Sequence, residues 1–258
     1  MMKKNNKYKW KKQIIIICIL STFVFVESIY SNIKLRVDEV INYINIDKEN
    51  LIKIESKSIT KNEEYLNTKV NMPIIIYEDK DIEQKINNTI KKDITSYYKK
   101  IKNQSEEYYS NFDELVTKFE LDISYDLKKN SDEVLSIILT YYTYSGGAHG
   151  YTENRAYNFS LRDGKQIYLE DIFIDNSNYI EELNKKIRHI IKENKEYEKL
   201  YCFKGIKNTK NFYIQDNDLV IYFDLYEIAP YVAGIVEFKV NEKEINSILK
   251  KEYINLFK

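Results

Sequence analysis

The chain has 258 residues, no formal net charge, 43% hydrophobic and 31% charged side chains, and only six glycines and two prolines. Average usage would supply about eighteen and about thirteen of these, so collagen-like, Gly/Pro-rich disordered and turn-rich barrel or sandwich chains are excluded. Six lysines fall within residues 1–12 without an acid, which leaves the remainder at a net charge of −6, a poor footprint for a nucleic-acid binder.

Those lysines (Lys3, Lys4, Lys7, Lys9, Lys11, Lys12) lead into residues 14–26, which carry no charge and end at Glu27. This is the pattern of a secretory signal. As a helix the run covers about 20 Å, short of a hydrocarbon core of roughly 30 Å. Extension through Ser28-Ile29-Tyr30 makes a marginal span. A cleaved signal and an uncleaved anchor are both open, with the anchor preferred. In either case the lysines place residues 1–12 inside and the rest outside the membrane. Cys18 lies in the apolar run, so Cys202 is the one cysteine beyond it and no internal disulfide is expected there.

Residues 33–50 read as a polar, partly helical stalk. Leu51–Thr60 and Tyr65–Tyr77 alternate as paired strands. Ile82, Ile86, Ile90, Ile94, Tyr97 and Ile101 recur every three or four residues, one apolar stripe of a long helix. Phe119–Leu127 and Val134–Tyr144 are strands, and Arg155–Leu161 is another, followed by a hairpin turn at Arg162-Asp163-Gly164-Lys165. Residues 177–200 read as a second helix with Tyr179, Ile180, Leu183, Ile187, Ile190 and Ile191 inward. Phe212–Ile214, Leu219–Phe223 and Ile235–Val240 are strands, and a terminal helix carries Ile245, Ile248, Leu249 and Leu256. The expected fold is α+β: an N-terminal membrane helix, then two closely packed α/β subdomains with mainly antiparallel sheets, ordered β-β-α-β-β then β-α-β-β-α.

Two stretches go beyond this general pattern. Tyr144-Ser145-Gly146-Gly147-Ala148-His149-Gly150 gathers three of the six glycines, with Leu169-Glu170-Asp171-Ile172-Phe173 about twenty residues on. Tyr226-Glu227-Ile228-Ala229-Pro230-Tyr231-Val232-Ala233-Gly234 interrupts two strands and holds one of the two prolines. Together they resemble the paired domains of unknown function 4163 and 3298 of extracytoplasmic proteins in Gram-positive bacteria. The resemblance covers most of residues 50–250. With the tail and signal or anchor at 1–32 and the stalk at 33–50, it implies a domain division into 51–150 (4163-like) and 151–258 (3298-like). In one relative the pair is the lysozyme-binding outer part of a single-pass anti-sigma factor. In another it stands between a membrane segment and the catalytic domain of a peptidoglycan deacetylase.

Candidate ligand-binding residues are Ser145, Gly146, Gly147, His149, Gly150, Tyr226, Glu227 and Tyr231. His149 on a glycine-lined loop suits a general base, or it packs locally while the glycines shape a tight connection. Tyr226, Glu227 and Tyr231 suit a recognition loop for a basic protein or a sugar, or they lock that loop to the core. Glu170 and Asp171 read as helix-entry residues and His189 as a surface or satisfied core side chain. The 24 tyrosines match a general Lys/Asn/Ile/Tyr bias and carry no functional weight. No metal motif and no phosphate loop is present, so neither a metal nor a cofactor is expected. The expectation is therefore a membrane-anchored or secreted envelope-binding module without its own catalysis. Its partners would be a cationic protein such as lysozyme or wall glycan, with residues 14–30 in the membrane and no nucleic acid. The alternatives are a peptidoglycan-acting enzyme using His149 and a truncated anti-sigma-type signalling protein.

Overall fold

The computed structural model describes residues 52–111 and 117–258, together with Lys34 and Arg36. The chain divides into Met1–Asn50 and Leu51–Lys258, and all that follows concerns the second unit. The expected signal or anchor segment and nearly all of the stalk lie outside the described residues. Among the described residues no helix is long and apolar enough to cross a membrane.

The first subdomain is a five-stranded sheet, its strands side by side in chain order, carrying one long helix. Strands β1 (Lys53–Asn62) and β2 (Leu66–Ile76) form an antiparallel hairpin. Helix α1 (Lys80–Ser110) starts where the Asp79 side chain accepts from the amides of Asp81 and Ile82, satisfying donors that no helical carbonyl can reach. Its buried stripe is the expected one and runs on through Ser105 to Tyr109. Asn87 ties the helix to the sheet, since its side chain accepts from the Ile75 amide at 2.9 Å and donates to the Ile75 carbonyl at 2.8 Å. The helix returns the chain to β3 (Phe119–Asn130), which pairs parallel to β2, as a strand-helix-strand crossover requires. All other strand pairs, through β4 (Val134–Tyr144) and β5 (Tyr151–Ser160), are antiparallel.

The second subdomain holds a three-stranded antiparallel sheet of β6 (Phe212–Gln215), β7 (Asp218–Phe223) and β8 (Val236–Asn241). Short helix α2 (Leu169–Ile172), α3 (Tyr179–Glu193) and α4 (Lys195–Leu200) precede it. Leu183, Ile187 and Ile191 of α3 are buried in the same core as Ile214, Leu219, Ile221 and Phe238 of this sheet.

Strand β4 explains how the two sheets meet. Its residues 134–139 are all buried, a continuous run of the kind a strand covered on both faces requires. Leu135, Ile137 and Leu139 join the core beneath α1, while Ile138 packs with Ala156, Tyr213, Val220 and Tyr222 against the second sheet. Between these apolar contacts lies a buried polar seam. The Ser136 hydroxyl donates to Asn158 Oδ1 at 2.7 Å, Asn158 Nδ2 donates to the Phe212 carbonyl at 3.0 Å, and the Ile214 amide donates to Ser136 Oγ at 3.2 Å.

Three expectations are corrected. The strand counted first in the second half is β5, and it belongs to the first sheet because its residues pair with β4 from Thr143↔Tyr151 to Val134↔Ser160. The single helix over 177–200 is two helices, because Asn194 leaves helical geometry and its side chain caps the amides of Glu196 and Tyr197. The terminal helix is replaced by a helical turn, Glu242–Ile245, followed by 3-10 turns. There the backbone bonds to another segment: the Ile174 amide donates to the Ile248 carbonyl and the Lys250 amide to the Ile172 carbonyl, both at 2.9 Å. Ile245, Leu249 and Leu256 are nonetheless buried, as the pattern expected. The turn at 162–165 is present, with Gly164 at φ +70° and its amide bonded to the Ser160 carbonyl.

Candidate binding site

Two loops carry the motif residues, 145–150 between β4 and β5 and 224–235 between β7 and β8. The fold brings them together. The glycines of the first loop serve two different needs. Gly146 and Gly147 stand at φ +92° and +98°, backbone angles that side-chain-bearing residues rarely adopt. Gly150 is buried and conformationally ordinary, but an added Cβ would lie 2.4 Å from the Tyr142 ring.

Gly150 is also the anchor between the loops. Its carbonyl accepts from the Tyr231 hydroxyl at 3.1 Å and lies 3.0 Å from His149 Nδ1. A carbonyl only accepts, so Nδ1 carries the proton and Nε2 of the neutral ring is an acceptor. The Tyr226 hydroxyl, 3.3 Å from Nε2, supplies the donor. The His149 ring stacks on Tyr231 with centroids 4.1 Å apart, and Tyr226 lies 5.7 Å from Tyr231. His149, Tyr226 and Tyr231 thus form one aromatic cluster, with His149 and Tyr226 77 positions apart in the sequence.

The cluster is held from behind. Glu227 closes the turn: its Oε2 accepts from the Asp224 amide and its own amide donates to the Asp224 carbonyl, both at 3.0 Å. Pro230 enters a 3-10 turn, Tyr231–Ala233, that ends at Gly234 with φ +69°. Ser145 is exposed, and no hydrogen bond among the described residues ties it to the cluster. Tyr226 has φ +67°, an outlier for a bulky residue, and its side chain remains 57% exposed. Val232, which the sequence did not single out, directly follows Tyr231 and is 86% exposed.

A polar cavity of about 330 Å³ adjoins the start of the second loop, lined by Glu153, Arg155, Tyr168, Asn211 and Asp224 among others. Asp224 Oδ2 accepts from Asn211 Nδ2 at 3.0 Å, whereas Oδ1 is buried with no partner among the described residues. Burial pushes the Asp224 carboxyl above the usual aspartate range, Glu153 adds to this, and the Asn211 bond opposes it. Sequence reasoning missed this cavity because its walls come from β5, the segment after it, the approach to β6, and β7. Among the described residues no group of three His, Cys, Asp or Glu side chains stands close enough to hold a metal.

Comparison with known proteins places these features in a family context. Residues 59–152 match the family model Deacetylase PdaC, and residues 170–243 match Protein of unknown function (DUF3298). The chain is 22% identical over 257 residues to the peptidoglycan-N-acetylmuramic acid deacetylase PdaC of Bacillus subtilis, covering 97% of this chain and 52% of that protein. It is 32% identical over 116 residues to the anti-sigma-V factor RsiV of the same organism, covering 41% and 40% of the two chains. The chain therefore spans about half, or less, of the length of these curated relatives. Its fold is similar to that of DUF3298-family proteins from Bacteroides fragilis (TM-score 0.62, 19% identity, 79% of this chain and 95% of that one) and Pseudomonas aeruginosa (0.56, 18%, 78% and 94%). The resemblance read from the two glycine-bearing motifs holds at the level of matches: one region of this chain matches the PdaC model and a second matches the DUF3298 model.

Proposed function

We propose that the chain is a recognition module of the cell envelope, and that the His149-Tyr226-Tyr231 cluster with Val232 is its binding surface. One observation carries this reading: Tyr226 is held in a backbone conformation unfavourable to it while the residue stays more than half exposed. Strain of about 1–3 kcal/mol persists where the surroundings impose it, and such positions concentrate at ligand-contacting sites. An exposed tyrosine and an exposed valine on a loop anchored by a proline and a glycine suit a partner surface better than a core.

The relatives support the setting. A deacetylase of peptidoglycan and an anti-sigma factor both fit a module related to the envelope, and the lysozyme-binding role noted above gives the first ligand to test. The net charge of −6 beyond residue 12 suits a cationic protein. The apolar run at 14–26 would hold the module at the outer face of the membrane. Recognition is favoured over catalysis because both His149 nitrogens are already engaged, Nδ1 by the Gly150 carbonyl and Nε2 by the Tyr226 hydroxyl. Calorimetric titration of the purified chain with lysozyme and with defined muropeptides tests the reading. Micromolar or tighter binding of either is expected, and no binding of either would overturn it.

A further inference from the structure

A second concave surface lies on the other side of the first subdomain, between the edge strand β1 and helix α1. It encloses about 330 Å³, near the lower end of the roughly 300–1,000 Å³ typical of small-molecule sites. Strand geometry explains why it exists. Lys57, Ile59 and Lys61 alternate onto one face of β1, opposite Met72, Val70 and Thr68 of β2. The helix buries Val70 and Met72, yet Lys57 and Lys61 stay exposed and Ile59 is only half covered. The partly exposed Ile59 and Ile74 thus line the groove beside an edge strand, together with the buried Val70, Met72 and Ile94.

The polar features of this groove have one sign. Lys57, Lys61, Lys91 and Lys99 line it, and no carboxylate is among the lining residues. Among the described residues, none of these four lysines forms an ion pair. Lys61 lies 4.1 Å above the Tyr98 ring, a contact that leaves its charge available. The nearby Glu63 carboxylate is already engaged, by Lys102 and by the Tyr98 hydroxyl, both at 2.6 Å. Four lysines around an apolar floor are unusual in a part of the chain that is acidic overall.

The independent observation is Thr68. It is 2% exposed, it lines the groove, and its hydroxyl has no hydrogen-bond partner among the described residues. A buried hydroxyl without a partner is an exception that calls for an explanation. Thr68 pairs in register with Lys61, so the unpartnered donor lies at the same end of the groove as a lysine ammonium.

We propose that this groove binds a single-chain fatty carboxylate. The carboxylate accepts from the Thr68 hydroxyl and from Lys61 and Lys99, and the acyl chain lies on Val70, Met72 and Ile94. A hydroxyl donor beside two ammonium groups is matched by an anion, and the floor is matched by a flexible apolar tail. This site is separate from the aromatic cluster, so the failure of either proposal leaves the other standing.

The test is calorimetric titration of the full chain with sodium laurate below its micellar concentration. The same titration is made with dodecanol, with dodecyltrimethylammonium and with phosphatidylglycerol vesicles. One equivalent of laurate is expected to bind. Thr68→Val and the double change Lys61→Glu/Lys99→Glu are each expected to weaken it at least tenfold, with the unfolding midpoint of Thr68→Val no lower than that of the parent. Dodecanol and the cationic amphiphile are expected to bind at least tenfold more weakly. Laurate binding that is absent, or unchanged in both variants, would overturn the proposal. So would equal affinity for the cationic amphiphile, or binding of the vesicles without binding of laurate.

Discussion

Asp93 of α1 joins the helix to the two strands that lead into the first loop. Its Oδ2 accepts from the hydroxyls of Tyr141 at 2.6 Å and Tyr157 at 2.5 Å, and its Oδ1 accepts from Arg155 Nη1 at 2.5 Å. Tyr141 is fully buried and Tyr157 is 7% exposed. Burial first, and the bond to Asp93 second, raise both phenol pKa values, so each hydroxyl remains a donor throughout the working range of pH. Asp93→Ala would strand both donors. Each unsatisfied buried group costs about 1–3 kcal/mol, which gives about 2–6 for the pair. The Arg155 charge adds less, because its Nε keeps Glu153 at 2.7 Å and its guanidinium stays over the rings of Tyr97 and Tyr141. Partial solvent access to Asp93 admits water to the gap, so the expected loss is about 2–4 kcal/mol, the lower part of that range. Urea unfolding measures it as a lowered midpoint at unchanged slope. The two effects should be non-additive: in a Tyr141→Phe/Tyr157→Phe background, Asp93→Ala should cost far less, since no phenol donor is left to strand. A loss under about 1 kcal/mol, or the same loss in both backgrounds, would refute it.

Three further outcomes follow from the site. Asp224→Asn tests the unpartnered carboxylate. Its pKa is raised in the fold, so its stability contribution is complete below the unfolded aspartate value of about 3.9 and is lost as pH rises through the folded value. The variant should therefore melt above the parent at pH 7 and level with it near pH 3, and an equal gap at both pH values would contradict the burial argument. Gly150→Ala forces the Tyr142 ring aside and should cost about 1–3 kcal/mol, most of it recovered when Tyr142→Ala is added; equal losses with and without Tyr142 would exclude the clash. Tyr226→Gly exchanges relief of left-handed strain for loss of the His149 contact, so its stability should stay within about 1 kcal/mol of the parent while binding falls at least tenfold. A large loss of stability would make Tyr226 a structural residue instead.

Much of the fold could be read because its elements announce themselves locally. The stripe from Ile82 to Ile101 sets α1, and the apolar run at 134–139 sets β4. What periodicity does not show is which face meets what. Ile137 and Ile138 look alike in sequence, yet one packs under α1 and the other against the second sheet. The terminal segment kept its buried positions but not its helix, because its backbone bonds to residues 172–174, a pairing no local pattern encodes. At the site, scarce glycine and proline marked both loops. The roles within them were mixed: Glu227 closes a turn, and Ser145 stands apart from the cluster. Val232 carried no signal, since the exposure of a valine is a property of the folded loop and not of the sequence. Asp224 and the Thr68 hydroxyl were equally silent, because an unmet hydrogen bond is a property of the packed structure.

Val232→Arg puts a bulky charge on the binding surface proposed for the converged loops. Val232 is 86% exposed, so its replacement should leave the unfolding midpoint within about 0.5 kcal/mol of the parent. Parent and variant are titrated side by side with lysozyme and with muropeptides. Binding by the parent, weakened at least tenfold in the variant at unchanged stability, is the expected result. Equal affinity of the two chains would exclude the converged loops as the binding surface.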